Sequence, residues 1–529
     1  MAALGGFLFG FDTSVISGAL LLIKRDFELN TFQQELVVSL TVGGAFVGSL
    51  GGGYISTRFG RKPGIMVGSV VFIAGAAQLT FAPSWIHLAI GRAVVGLGVG
   101  IASATVPSYI SEAAPGHLRG TLTVMNTVCI SSGQMIANVV DAALSHTPHG
   151  WRYMFAVSAI PAIIQLVGFL FLPESPRFLV SKHRVDEARL VLQRLRDTDN
   201  VEEELHAITS ATTQASGGLK DLLSRPHYRR MLFMACMLQI INQVTGINSI
   251  MYYSSSILKM AGIRSDTMTM WISAGIDAVF VLFTVVGLVL VDRAGRRPLL
   301  IWSCVALCVS SVIIGVAFFL ADNRAAPATW NGAECDFGSC YTCLQHDACG
   351  FCGSVSGGSC MSLTAQSVAG DACNGSSFYS KGTLPDNSLV SAVSEYCPNR
   401  YANLAIFGLC AYLASFAFGL TSMPWIINSE IFPTHLRAAG NAYSAATNWI
   451  FNMGVSLSFL SLTEAMTEYG TFWLYAGVCV LATIYSVSQV PETKGKSLEE
   501  IEALFLRDDE EAPLLRHDKP SSINAHDAP

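Results

Sequence analysis

The chain has 529 residues, of which 51% are hydrophobic and 13% charged, with 47 glycines and a formal net charge of −6. So apolar and glycine-rich a composition argues against a soluble enzyme of this size, and a small negative balance spread over loops and tail argues against a nucleic-acid partner. The expectation is an all-α polytopic membrane protein.

Apolar runs long enough to cross a bilayer as helices cover 2–23, 36–57, 64–82, 86–110, 121–143, 152–172, 231–257, 268–291, 299–320, 403–427, 438–460 and 471–490, which makes twelve transmembrane helices. The first run lacks a basic leader and a cleavage site, so no removed signal peptide is expected. With both termini cytoplasmic, the inside loops and tail hold 23 of the 32 Lys and Arg and the outside loops seven, with Arg92 and Arg152 in or at the edge of spans. That asymmetry sets the orientation.

Short charged motifs occur twice. Arg58-Phe59-Gly60-Arg61-Lys62-Pro63 returns as Arg293-Ala294-Gly295-Arg296-Arg297-Pro298, Ser111-Glu112 through Arg119 returns as Ser429-Glu430 through Arg437, and Pro173-Glu174 returns as Pro491-Glu492. The first pair lies 235 residues apart and the later pairs 318, so the second copy holds 83 extra residues. The chain therefore reads as two six-helix pseudo-repeats, 1–173 and 231–490, with a linker over 174–230, an insert over 321–402 and a tail over 491–529. The set Arg58, Arg61, Glu112, Arg119, Glu174 and Arg177, with Arg293, Arg296, Arg297, Glu430, Arg437 and Glu492, is expected to latch the halves together at their cytoplasmic ends while the outer side is open. Positive-inside anchoring accounts for the basic residues but not for glutamates at matching places.

The linker has apolar residues at helical spacing, as in Val185 to Leu192, and predicts amphipathic helices under the bundle, broken near Gln214 to Gly218. Eight cysteines, Cys335, Cys340, Cys343, Cys349, Cys352, Cys360, Cys373 and Cys397, all fall in the insert between the ninth and tenth spans, which the charge rule places outside. An even count there predicts four disulfides; a zinc site built on the two C-x2-C pairs is the weaker reading. The spacing resembles a PSI (plexin-semaphorin-integrin) module, a fold that implies a possible extracellular partner. Asn374 opens a glycosylation sequon in the same loop. In the tail, an amphipathic helix is expected from Leu498 to Phe505, and Glu510-Glu511 ahead of Leu514-Leu515 resembles a sorting signal for adaptors.

Polar residues inside the spans are candidates for a pathway. Thr127, Ser131 and Gln134 share a face of the fifth span, Gln239, Asn242 and Gln243 share one in the seventh, and Asn448, Trp449 and Asn452 share one in the eleventh. Asn248 follows Gly246, where the helix is expected to open. Carboxamides both donate and accept, which suits a polyol ring. Asp12 and Arg92 are costly in a bilayer unless they face the bundle interior and pair, and a movement that separates them would favour proton uptake.

Gly5-Gly6-Phe7-Leu8-Phe9-Gly10-Phe11-Asp12, Gly91-Arg92, Pro173-Glu174-Ser175-Pro176-Arg177, Gln243-Val244-Thr245-Gly246-Ile247-Asn248, Pro424-Trp425 and Pro491-Glu492-Thr493-Lys494-Gly495, with the repeated motifs, resemble the sugar-porter family of the major facilitator superfamily. The resemblance implies the major facilitator fold, alternating access and no cofactor beyond a coupling proton. It implies substrate contacts at Gln239, Gln243, Asn248 and Trp425, and an outer gate at Tyr252 and Tyr253. A carboxylate at Asp12 marks the proton symporters of the family, and with the cysteine-rich loop it implies import of a cyclic polyol, myo-inositol. Proton-independent hexose transport and an adhesion role for the loop are the alternatives.

Several positions depart from the hexose-carrier pattern. Thr127 and Asn242 stand where glutamines are usual, Phe280 where an asparagine is, and Asp277 is a second intramembrane carboxylate that the pattern does not require; both Asp277 and Phe280 are candidates for the substrate site. Gly419-Leu420-Thr421-Ser422 lacks the prolines that usually bend the tenth span. No phosphate loop, metal cluster or nucleophile with its base is visible, so an enzyme is not expected.

Overall fold

The computed structural model describes residues 1–115, 119–212, 219–330, 339–344, 349–354, 356–362, 377–379, 397, 399–433, 435–496 and 498–505. Cys335, Cys373, Asn374, Leu514, Leu515, His117-Leu118 and the expected break at 214–218 lie outside these residues, as does the side chain of Arg119. Among the described residues, eleven helices are long and apolar enough to cross a membrane. The last, Arg437–Gln489, contains Thr467 at φ 71° and ψ 164°, a non-helical conformation that divides it into the eleventh and twelfth spans.

The first six spans are Leu4–Phe27, Thr31–Arg58, Arg61–Thr80, Trp85–Ala113, Arg119–Leu144 and Gly150–Phe171. The second set runs through Pro226–Val244, Asp266–Ala294, Arg296–Asn323 and Ala402–Phe418 to the divided pair. Most helices overrun the apolar cores read from sequence, because their ends continue as polar turns into the interfacial zone. The repeated motifs lie at one end of the helices and the insert at the other; these ends are termed the motif side and the insert side. Phe171, Leu282, Trp302 and Leu481 are exposed on the outer surface of the bundle. So large an apolar surface suits lipid rather than water.

Small residues set how closely helices approach. A Cβ at Gly10 would lie 1.8 Å from the carbonyl oxygen of Ile130, and one at Gly133 would lie 2.3 Å from that of Phe7. The first and fifth spans therefore touch backbone to backbone.

Two spans are broken. The seventh ends at Val244, turns through Gly246 at φ 96°, and resumes as Ile247–Tyr252 and Ser254–Met260. The tenth ends at Phe418 and resumes at Met423. No proline lies within 419–422, but Pro424, second in the resumed helix, has no N–H to offer the Leu420 carbonyl. Asn242 Nδ2 donates to the Leu420 carbonyl at 2.7 Å, and the Leu420 N–H donates to Ser303 Oγ at 3.1 Å. Side chains from neighbouring helices thus satisfy backbone groups that the bilayer could not.

On the motif side, Pro176–Ser181, Val185–Arg196 and Glu202–Thr212 form a small cluster around Leu179, Leu192, Leu205 and Ile208. Arg196 fastens it to the fourth span by donating to the carbonyls of Ala113 at 2.9 Å and Ala114 at 3.3 Å. A cation is favoured there, at the negative end of a helix dipole. The tail helix spans Leu498–Ala503, shorter than expected.

The insert carries a four-stranded sheet of β1 (Ala328–Trp330), β2 (Cys349–Ser354), β3 (Gly357–Ser362) and β4 (Ser377–Tyr379) in the order β1-β3-β2-β4, with β1 parallel to β3 and the other pairs antiparallel. Cys340 is bonded to Cys397 and Cys343 to Cys360, and Cys349 and Cys352 are disulfide-bonded as well. The zinc reading therefore fails: these sulfurs are spent in disulfides. With a core of little more than Phe351, Leu344 and cysteines, such a unit relies on its cross-links.

Candidate functional site

Asp12 and Arg92 meet as their burial requires. Arg92 Nη1 donates to Asp12 Oδ1 at 2.7 Å, joining the first and fourth spans, with the two residues 1% and 3% exposed respectively. Both belong to the first repeat. The pair is compensated internally and does not depend on the other half.

Carboxamides of the seventh and eleventh spans form one network. Asn448 Nδ2 donates to Gln239 Oε1 at 2.8 Å, Gln243 Nε2 donates to Asn242 Oδ1 at 2.9 Å, and Asn248 Nδ2 donates to Gln243 Oε1. The network forms because Gly246 breaks the helix and lets Asn248 turn back over Gln243. Asn452 reaches the Tyr252 hydroxyl at 3.5 Å, and Tyr253 donates to the Ser456 carbonyl at 2.9 Å while stacking on Phe459. Gln239 Nε2 and, on the fifth span, Gln134 Oε1 are buried without partners. One is a donor and the other an acceptor, a combination that complements hydroxyl groups.

Other expected residues have more local roles. Ser131 turns its hydroxyl back to the Val128 carbonyl at 3.1 Å, and Thr127 is half-buried beside it. Trp425 is 45% exposed. Trp449 packs edge-on against Phe9 of the other half at 5.9 Å. Phe280 is buried, its carbonyl accepting from Thr284, so it does not face lipid. Asp277 is 3% exposed and accepts a hydrogen bond at 2.7 Å from Asn138 Nδ2, across the halves.

With the insert side closed, the motif residues form a duplicated clamp within each half, whereas the latch between the halves is expected for the state in which that side is open. Arg61 Nη2 pairs with Glu112 at 2.9 Å, and Arg296 Nη2 pairs with Glu430 at 3.1 Å. Glu174 accepts from the backbone N–H groups of Arg61 at 3.0 Å and Lys62 at 3.2 Å; Glu492 accepts from those of Arg296 and Arg297, both at 3.1 Å. Ser175 and Thr493 then donate to Glu112 and Glu430. Each ion pair lies within one half. The cause is geometric: Glu174 and Glu492 sit at the N-termini of the third and ninth spans of their own repeats, where free N–H groups and the dipole hold them, while Glu112 and Glu430 reach the same arginines from the C-terminal ends of neighbouring helices. Arg437 donates to the Phe432 carbonyl at 3.4 Å, and among the described residues no ion pair reaches Arg58, Arg177 or Arg293.

The halves are joined on the insert side instead. Glu35 accepts from Ser461 N at 2.8 Å and Oγ at 2.6 Å, Thr31 donates to Glu464 at 2.5 Å, Arg25 pairs with Asp266 at 2.5 Å, and Ser17 bonds Ser254 at 2.8 Å and Ser255 at 3.0 Å. Sequence reasoning missed Glu35, Asn138 and Asp141. The last is an acid inside an apolar run, a signal of the same kind as Asp12.

The family described as Sugar (and other) transporter matches residues 1–342 and 387–505. The chain belongs to this family. It is 42% identical over 525 residues to the proton myo-inositol cotransporter of Homo sapiens, covering 95% of this chain and 81% of that one. It is 37% identical over 550 residues to inositol transporter 4 of Arabidopsis thaliana, covering 95% and 90%, and 33% identical over 528 residues to the galactose-proton symporter of Escherichia coli, covering 100% and 96%. Among solved structures it resembles the inward-open xylose transporter XylE of Escherichia coli, with a TM-score of 0.69 and 25% identity over 95% of this chain and 98% of that one. It also resembles the major facilitator superfamily proton:xylose symporter XylE bound to 6-bromo-6-deoxy-D-glucose, with a TM-score of 0.67 and 25% identity over 96% and 98%. The family is one of transporters, and the fold is that of the major facilitator superfamily.

Proposed function

We propose that the chain is a proton-coupled symporter that imports myo-inositol by alternating access, the bundles of 1–173 and 231–490 rocking about a central site. The observation that carries the reading is the buried Asp12–Arg92 pair, at 2.7 Å, in one half, together with a network of carboxamides in the other. Asp12 carries the coupling proton, and Arg92 holds the carboxylate when that proton is absent. Gln239, Asn242, Gln243, Asn248, Asn448 and Asn452, with Thr127, Ser131, Gln134 and Trp425, bind the polyol hydroxyls, while Phe280 and Asp277 bound the site from the eighth span. Tyr252 and Tyr253 gate it on the insert side. Proton coupling is supported by relatives named as proton cotransporters and symporters, and the polyol by those named for inositol. The clasp of Glu35, Ser17 and Asp266 on the insert side fits an inward-facing state, with both termini and the motif side cytoplasmic and the insert outside.

The test is electrical recording in cells at several external pH values, with myo-inositol, scyllo-inositol and glucose supplied separately. Inward current with myo-inositol that grows on acidification is expected, and Asp12→Asn abolishes it because an amide cannot carry the proton. Glucose uptake without current in the parent would replace this reading by facilitated hexose transport.

A further inference from the structure

Asp141 is fully buried in the fifth span, and among the described residues no side chain donates a hydrogen bond to its carboxylate, which lies against the Gly18 backbone. The first span makes room for it: a Cβ at Gly18 would lie 2.5 Å from Asp141 Oδ2. One turn back on the fifth span, Asn138 donates at 2.7 Å to Asp277 Oδ2, and Ser14, one turn from Gly18, lies against Asp277. Two carboxylates from opposite halves thus converge on one stripe of the first span. Next to Gly18, Ser17 bonds Ser254 and Ser255 of the other half, and Ser254 bonds Ser273, one turn from Asp277 on the eighth span.

Among the described residues no cationic side chain bonds either acid. On the first span, Asp12 is matched by Arg92 at 2.7 Å. At the insert-side ends, Arg25 and Lys259 both pair with Asp266 at 2.5 Å, His149 bonds Asp26 at 2.8 Å, and Arg152 donates to the carbonyls of Thr80 and Ala82. Lys24 lies at the same end of the first span. Two carboxylates without a countercharge in a closed interface are strongly disfavoured, and like charges repel. A proton is the cation small enough to enter. Once neutral, Asp141 can donate as well as accept, and Asn138 Oδ1 is a buried acceptor still without a donor.

We propose that Asp141 and Asp277 form a second proton-binding site, separate from Asp12–Arg92 and shared between the halves, whose protonation permits closure of the insert side. Opening that side separates Asn138 from Asp277, admits water and lets the acids ionise, so external protons drive closure. The part this plays in transport rests on the proton-coupled reading above; the presence of the site does not.

The test uses the full chain in lipid vesicles, with infrared difference spectra recorded against pH in the absence of substrate. The parent is expected to show the carbonyl stretch of a protonated, buried carboxylic acid near neutral pH. Part of that band is lost in Asp141→Asn and in Asp277→Asn, all of the shared component is lost in the double variant, and Asp12→Asn retains it. Two single variants guard against one failing to fold. A parent band unchanged in both, or no such band in the parent, overturns the proposal. If the band behaves as expected while the parent moves no myo-inositol, the transport reading falls and the proton site stands.

Discussion

At the residue scale, the tightest constraint in the bundle is the contact of the first and fifth spans. A Cβ on Gly10 would sit 1.8 Å from a carbonyl oxygen that belongs to a helix and cannot swing aside. Gly10→Ala is therefore expected to lower stability by about 1–3 kcal/mol, the usual range for overpacking. Thermal unfolding in detergent, followed by aggregation or tryptophan fluorescence, would show it; an unchanged midpoint would mean that the helices can slide apart freely. Much at this scale was legible, because a charge or carboxamide in an apolar run stands out. Asp12, Arg92, Gln239 and Asn248 were found that way, and Gly246 was read as the place where the seventh helix opens. Asn138 and Asp141 were less legible because their importance comes from which residues of the other half and of the first span they face, which no single span reveals.

At the scale of elements, the clamp explains why short motifs recur. Glu492 caps the ninth helix as Glu174 caps the third, and Gly60 and Gly295, at φ 119° and 93°, admit the carboxylates where a side chain would be strained. Partial burial pushes the Glu492 carboxyl up, but the N–H donors of Lys494, Arg296, Arg297 and Thr493 outweigh it and hold the group below the ordinary value of 4.5. A depressed carboxyl contributes stability fully above 4.5 and loses it as pH falls through the folded value. Glu492→Gln should cost about 1 kcal/mol at neutral pH, as for other helix caps, and the gap to the parent should close on acidification. A pH-independent difference would mean the loss is one of packing. The sequence showed these charges but not their partners. Repetition alone cannot say whether a Glu pairs within its copy or across to the other, since that depends on which helix ends lie together. In the insert, non-reduced peptide mapping should recover Cys340 linked to Cys397 and Cys343 linked to Cys360; free thiols at those positions would contradict the fold of the loop. Eight cysteines predicted oxidation but allowed too many pairings to choose among.

For the whole molecule, the question is what holds the two halves in one arrangement. Glu35 receives two hydrogen bonds from Ser461 across the interface, and bonds to a charged group are worth about 1.5–3 kcal/mol. Glu35→Gln is expected to shift the population roughly tenfold towards opening of the insert side. Distances between spin labels on the insert-side ends of the second and eleventh spans would lengthen; an unaltered distribution would show that the clasp does not set the balance. Twelve spans and two repeats could be read from the chain because a bilayer imposes length and polarity on every crossing segment. The conformational state could not, since in the proposed cycle the same contacts are made and broken in turn. The insert is anchored to one side of that movement. Arg324 and Tyr401, at its two ends, bond each other at 3.0 Å, the Cys340–Cys397 bridge closes its base, and Gly262 between the seventh and eighth spans abuts Asn399 and Cys397. All of these belong to the second repeat. If the halves rock as proposed, the sheet is mounted like a pointer on one of them, and a fluorophore fixed to it would trace the carrier's swing turnover by turnover. A binder that gripped both the pointer and the opposite body would stop that swing without ever touching the carboxamide network.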